Sequence, residues 1–235
     1  MTIQETKRTK KLNKQIEINI KRRTVIVDDK LVFHKGVPIP SWIELSLIDV
    51  CNRKCTFCPK SDAAVAPDTY QKMTMLLIDK LVKELKEINY QGSVVLCGYG
   101  EPMLHKDVYE ICRRLSEVSF VEIVTNGDTL TKKKIKELYN ANVNKVLVSL
   151  YDGPEQVDKF KKMADGAQVP DDFVILRHRW HDENQDFGLK LTNRAGTIDV
   201  GKQYDIKNFS FCYYPSYSVL ICLLYTSPSP RDKRQ

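Results

Sequence analysis

The sequence predicts an α/β fold built on a parallel sheet, and three observations carry that expectation. Short apolar runs alternate with runs of helical period through residues 42–176. The helical runs are about ten residues long, the length of a crossover that returns the chain to a parallel neighbour. Polar, glycine-bearing segments follow the apolar runs, where a parallel α/β fold gathers its chemistry. A chain of 235 residues can bury one sizeable core.

In chain order, residues 1–39 read as a basic extension. Residues 1–35 hold ten Lys and Arg against four Asp and Glu, so +6 of the formal +7 lies there. Alternation over residues 16–20 and 24–27 predicts a short strand pair. Gly36-Val37-Pro38-Ile39-Pro40 punctuates the approach to the main domain. Residues 42–50 read as the first strand of that domain. Residues 75–88 place Leu76, Leu77, Leu81 and Leu85 at helical spacing. Strands are expected at 93–97, 121–124, 143–150 and 173–176, with helices at 108–118, 132–139 and 155–163. The pattern decays near Trp180.

Hydrophobic content of 42% and charged content of 29% are those of a globular protein. No apolar run approaches the length of a membrane span. The first residues lack the apolar stretch of a secretory signal. Seven cysteines without such a signal argue for a reducing compartment and a metal, with the cytoplasm as the expected location. The basic segment could serve as a nucleic-acid arm. Few aromatics interleave it, so a solvated extension is the preferred reading.

Cys51-Asn52-Arg53-Lys54-Cys55-Thr56-Phe57-Cys58 is the most informative run. Thiolates spaced by three and then two residues can ligate three irons of a cubane iron–sulfur cluster, leaving the fourth iron open to a small molecule. Zinc sites more often use paired C-x2-C spacings, and no second pair exists. His34 and His105 are not spaced as partners. Free cysteines buried as small hydrophobes are the remaining alternative. Cys97 and Cys112 read that way.

The cysteine run, with Phe57 just before its last member, resembles the radical S-adenosylmethionine (SAM) superfamily. That resemblance implies a partial (β/α)6 TIM-like barrel, incomplete at the C-terminal end. It implies a [4Fe-4S] cluster on Cys51, Cys55 and Cys58 that cleaves SAM reductively to a 5′-deoxyadenosyl radical. The radical would abstract hydrogen from a peptide or small-molecule substrate, with electrons from a reductant such as a flavodoxin or ferredoxin. Gly98-Tyr99-Gly100-Glu101-Pro102 resembles the family's GGEP segment, with Tyr99 in place of a glycine. Gly98 and Gly100 would let backbone approach the ligand, and Glu101 would take the methionine ammonium. Phe57 would lie near the adenine, and Ser149 and Asp152 near the ribose hydroxyls. Thr125 and Asn126 would form wall, and Arg177 would meet the SAM carboxylate. A zinc or iron–sulfur structural module that binds nucleic acid through the basic N-terminus, and an inactive fragment of a radical SAM enzyme, are the competing readings.

Residues 192–196 and 212–221 resemble the segment that links such cores to SPASM-type auxiliary-cluster domains. Cys212 would then be a ligand of an auxiliary [4Fe-4S] cluster, although Cys222 does not stand at the expected next spacing. Residues 222–232 match one reading frame of a transposase sequencing adaptor. The expected organisation is therefore an extension over 1–39, a core over 40–200, the start of a truncated auxiliary region over 201–221, and an adaptor artefact over 222–235. On that reading the natural protein continues past Ile221.

Overall fold

The computed structural model describes residues 32–179 and 218–222. Its first element is an antiparallel hairpin of β1 (Val32–His34) and β2 (Val37–Ile39). The two turn residues, Lys35 and Gly36, have φ of 51° and 80°, the mirror-image turn whose twist suits paired strands. The segment expected only to punctuate the domain start is thus one arm of a hairpin. The pair expected over residues 16–27 lies outside the described residues.

Six parallel strands form the main sheet: β3 (Trp42–Leu45), β4 (Ser93–Leu96), β5 (Phe120–Thr125), β6 (Lys145–Leu150), β7 (Val174–His178) and β8 (Ser218–Ile221). Their spatial order is β7-β6-β5-β4-β3-β8. Four helices, α1 (Met75–Glu87), α2 (Val108–Ser116), α3 (Lys132–Asn140) and α4 (Glu155–Ala167), connect the five strands from β3 to β7. The expected α/β architecture is present. β8 was not anticipated as a strand. It joins beside β3, with Trp42 opposite Ser218 and Leu45 opposite Ile221. No strand among the described residues pairs with the outer edge of β7 or β8, so the arc is an incomplete barrel.

Strand alternation sorts the side chains into two sets. Ile43, Leu45, Val94, Leu96, Val121 and Ile123 face the helices and pack with Ile78, Ile111, Leu115, Ile135 and Leu138 in one cluster. Each such aliphatic side chain contributes about 1.5–3 kcal/mol on burial. The other set includes Glu44, Val95, Cys97 and Val124, and it faces the concave side.

Local chemistry sets the element ends. Thr74 and Thr131 cap α1 and α3, their hydroxyls accepting from the Leu77 and Lys134 N–H groups at 3.3 and 3.2 Å. Asn89 and Asn142 close the same helices in the left-handed region, at φ 50° and 59°. The Tyr90 and Val143 N–H groups then reach back to the Leu85 and Leu138 carbonyls at 3.0 and 3.2 Å, a Schellman closure at both ends. Val143 therefore belongs to a helix cap, and the strand expected from residue 143 begins at Lys145. β3 is shorter than expected for a related reason. Beyond Leu45 the chain turns to pair with residues 71–73: Met73 N–H donates to the Leu47 carbonyl at 2.8 Å and Asp49 N–H to the Gln71 carbonyl at 3.2 Å. That divergence carries Cys51 over the end of the sheet. Among the described residues, no helix is long and apolar enough to cross a membrane.

Candidate active site

A cavity of about 530 Å³ runs from the loops after β3, β4, β5 and β6 down the concave face of the sheet. Cys51, Cys55 and Cys58 all line it, each half-buried and none in a disulfide. A tight turn sets the last two apart, with the Cys58 N–H donating to the Cys55 carbonyl at 2.9 Å. The Arg53 N–H points at Cys51 Sγ at 3.4 Å, and Asn126 Nδ2 stands 3.9 Å from the same sulfur. Burial pushes the Cys55 thiol up to about 11, the neighbouring Cys58 adding to the shift and Arg53 opposing it. Burial also raises Cys51. Binding metal through these sulfurs must therefore release protons.

The donor set fits a polynuclear cluster better than a single ion. Ligands of one zinc ion lie about 2.3 Å from it, so they must crowd together. Among the described residues no group of three or more His, Cys, Asp or Glu side chains is gathered in that way. Three thiols around one cavity are the donor set that a cluster ligated at three of its irons would use.

The glycine segment after β4 packs against the strand that delivers the cysteines. Gly98 has φ of 124°, and a side chain there would strike Ser46. At Gly100 a Cβ would collide with the Ile48 carbonyl. Both glycines line the cavity and also let the backbone approach the chain just before Cys51. The Glu101 N–H confirms the contact by donating to the Val50 carbonyl at 2.9 Å.

Glu101 is buried at 3% exposure, lines the cavity and is held by three donors. Its Oε1 accepts from the Met103 N–H at 3.1 Å and the Thr125 hydroxyl at 2.7 Å, and its Oε2 from the Asn126 N–H at 2.8 Å. Burial raises its carboxyl, and these three donors pull it back. Asn126 also donates through Nδ2 to Asn52 Oδ1 at 2.7 Å, which ties the GGEP-like segment and the cysteine loop into one network.

The cavity gathers most of the residues singled out from the sequence: Phe57, Gly98, Tyr99, Gly100, Glu101, Thr125, Asn126 and Arg177 join the three cysteines on its wall. Three stand elsewhere. Pro102 is buried and starts a short 3-10 turn, Pro102–Leu104. Ser149 is buried and shares a hydrogen bond with Tyr151. Asp152 points both carboxylate oxygens at Arg53 and accepts from Gln156 Nε2 at 2.8 Å. Cys212 lies outside the described residues.

Other wall residues were missed. Trp42, Glu44 and Cys97 come from the concave face of β3 and β4, and Tyr151 follows β6. Cys97 is not the buried filler expected. It lines the cavity, and burial beside Glu44 drives its thiol well above the usual range. Period-two alternation was the available signal, since Trp42 and Glu44 share one face of β3. Cys112 is the buried filler it was expected to be, at 0% exposure.

Comparison with known proteins agrees with this geometry. The Radical SAM superfamily model matches residues 45–174. The S-adenosyl-L-methionine-dependent 2-deoxy-scyllo-inosamine dehydrogenase of Niallia circulans is 29% identical over 189 residues, which cover 78% of this chain and 70% of that protein. GTP 3′,8-cyclase of Lactiplantibacillus plantarum is 32% identical over 133 residues, 54% of this chain but only 38% of the cyclase. The crystal structure of BtrN in complex with AdoMet and 2-DOIA superposes with a TM-score of 0.63 at 26% identity, covering 79% of this chain and 71% of BtrN. Streptococcus suis SuiB, solved with its precursor peptide SuiA, shares the fold at 15% identity and a TM-score of 0.53, covering 84% of this chain and 56% of SuiB. The named dehydrogenase and cyclase are enzymes, and the family implies a [4Fe-4S] cluster, S-adenosylmethionine, a reductant and a substrate. With three cysteines, a glycine–glutamate segment and a family-wide match converging on one parallel-sheet cavity, the chain belongs to the radical SAM superfamily.

Proposed function

We propose that this chain binds a [4Fe-4S] cluster through Cys51, Cys55 and Cys58 and uses it on SAM to abstract hydrogen from a small polar substrate. When bound, the cluster supplies the electron that cleaves SAM to methionine and a 5′-deoxyadenosyl radical. The observation that carries this reading is the placement of all three cysteines and Gly98–Glu101 on the wall of one cavity. Glu101 braces the Thr125–Asn126 turn and presents a negative charge to the methionine ammonium. Asn126 steadies Cys51 through its sulfur and through Asn52. Phe57 packs on Tyr151 with ring centroids 5.4 Å apart, an aromatic wall for the adenine. Arg177 offers a cation to a carboxylate within the cavity.

The strand-borne part of the wall supports a small polar substrate. Trp42, Glu44, Cys97 and Arg177 give it one aromatic face and charges of both signs, a lining for a small molecule that carries hydrogen-bonding groups. The relative that acts on 2-deoxy-scyllo-inosamine, which this chain matches over 78% of its length, supports that choice over a peptide. The electron donor on this reading is a flavodoxin or ferredoxin, in a reducing compartment such as the cytoplasm. The resemblance of residues 212–221 to a SPASM-type linker supports Cys212 as an auxiliary-cluster ligand in a longer protein.

Anaerobic reconstitution with iron and sulfide tests the core of the proposal. The expected result is a brown protein that releases 5′-deoxyadenosine from SAM on reduction, with both properties lost when any of the three cysteines becomes alanine. A cysteine-free variant that keeps the chromophore and the cleavage would overturn it.

A further inference from the structure

Arg53 sits in the spacer between the first two cysteines, a position at which nothing in the cysteine spacing asks for arginine. Its Nε and Nη2 grip Asp128 at 2.6 and 2.5 Å, and its Nη1 and Nη2 grip Asp152 at 2.6 and 2.8 Å. The guanidinium also lies over the Tyr151 ring, 5.4 Å from its centroid. Its neighbour Asn52 donates to Asp128 at 2.9 Å. Asp128 belongs to the loop after β5, and Asp152 and Tyr151 to the loop after β6.

We infer that Arg53 is a positioning residue that clamps the cysteine loop to the ends of β5 and β6, so that Cys51 and Cys55 are set for the cluster before it arrives. The inference rests on the proposed cluster role of those cysteines. An isolated surface ion pair would be a poor basis for it, since such pairs contribute about 0–1 kcal/mol. This is not an isolated pair. One side chain at 19% exposure bridges two carboxylates from two different loops and stacks on a third residue. A planar fork of donors suits this arrangement, because it meets each carboxylate through two N–H groups, whereas a lysine ammonium can reach several acceptors but cannot reproduce that paired geometry. The clamp also has a negative side. Without the guanidinium, Asp128 and Asp152 would flank the loop as two unpaired anions beside thiolates that must themselves carry charge.

Residues that orient metal ligands typically change metal affinity by about 10- to 100-fold when removed. The test compares the full chain with Arg53→Lys, Arg53→Met and the Asp128→Asn/Asp152→Asn pair, each reconstituted anaerobically. Two properties are read: the chelator concentration that strips half the iron, and the change in the reduced cluster's EPR spectrum when SAM is added. All three variants should lose iron at chelator concentrations about 10- to 100-fold lower. Their EPR change on adding SAM should be weakened, and lysine should fail to rescue. Should Arg53→Met melt early without metal, the Asn pair decides, because it keeps Arg53 and the shapes of both partners. Variants that hold iron as tightly as the unsubstituted chain, with the same EPR change, overturn the clamp alone. An unsubstituted chain that holds no cluster overturns both the clamp and the functional reading beneath it.

Discussion

The two faces of the sheet differ in what they are made to do. The face toward the helices is mainly aliphatic, with Ile43, Leu45, Val94 and Leu96 at 4% exposure or less. The concave face alternates with it residue by residue, yet it carries Trp42, Glu44, Cys97 and Arg177. On the first face, free energy comes from area removed from water, and any well-fitting aliphatic residue serves. On the second, charges sit where solvent is scarce, and each costs free energy unless something answers it. Polar side chains gather on the cavity face, while the other face packs against the helices.

Substitution separates the two faces cleanly. The largest effect belongs to the cavity side: alanine at Cys51, Cys55 or Cys58 should abolish the brown chromophore and SAM cleavage while leaving the metal-free melting temperature nearly unchanged. Absorbance after reconstitution, paired with thermal unfolding, checks this. On the helix side, Leu138→Ala should destabilise the fold by about 2–5 kcal/mol through the cavity it leaves. Leu138 is 0% exposed, and denaturant titration reads the loss. The folded fraction of that variant should still load cluster, and a variant that folds fully without loading would blur the distinction between the faces.

Glu101→Gln should act on both counts, more modestly. An amide in place of one carboxylate oxygen confronts a donor with a donor at the Thr125–Asn126 turn, at about 1–3 kcal/mol. SAM binding should weaken together with stability. Isothermal titration beside a melting curve shows whether the two losses travel together.

The smallest effect concerns pH. His105 is buried, its Nε2 donating to the Met73 carbonyl at 3.0 Å and its Nδ1 accepting from the Asp107 N–H at 3.2 Å. Burial holds its pKa below the ordinary histidine value of 6.5, so the folded state keeps the ring neutral while the unfolded chain takes up a proton first. The stability this neutral ring contributes is present above about pH 6.5 and is lost as pH falls through the lowered folded value. Melting temperatures from pH 7.5 to 5 should therefore fall more steeply for the native chain than for His105→Gln, and parallel curves would remove His105 as the cause.

Much of this was legible in the sequence because it is local. Helical period located the four α-helices of the described residues, and the spacing of the cysteines pointed to the family without any knowledge of the fold. What escaped depends on contacts between distant residues. Arg53 meets partners 75 and 99 positions away, and no local pattern ties it to Asp128 or Asp152. Asp152 follows a strand end, but its bonds to Arg53 and Gln156 could not be read from its place in the sequence. Cys97 read as filler because an apolar neighbourhood in sequence hides the face to which alternation sends it. The early end of β3 was hidden for the same reason, since residues 71–73 capture the chain after Leu45.

The pairing of β8 with β3 also has a consequence for how the molecule is made. Strand β3 ends at Leu45 and its edge partner starts at Ser218, so this contact joins segments separated by most of the chain. Every other contact in the sheet links strands that are consecutive in sequence. A ribosome adding about 5–20 residues per second needs on the order of ten seconds or more to travel between them. Once Leu96 has been made, β3 can pair with β4 on one side, but its other edge waits for Ser218–Ile221. Loop-closure entropy makes this distant pairing the slowest to form. The strand that delivers the three cysteines is therefore the first of the sheet to be synthesised and the last to be fully paired.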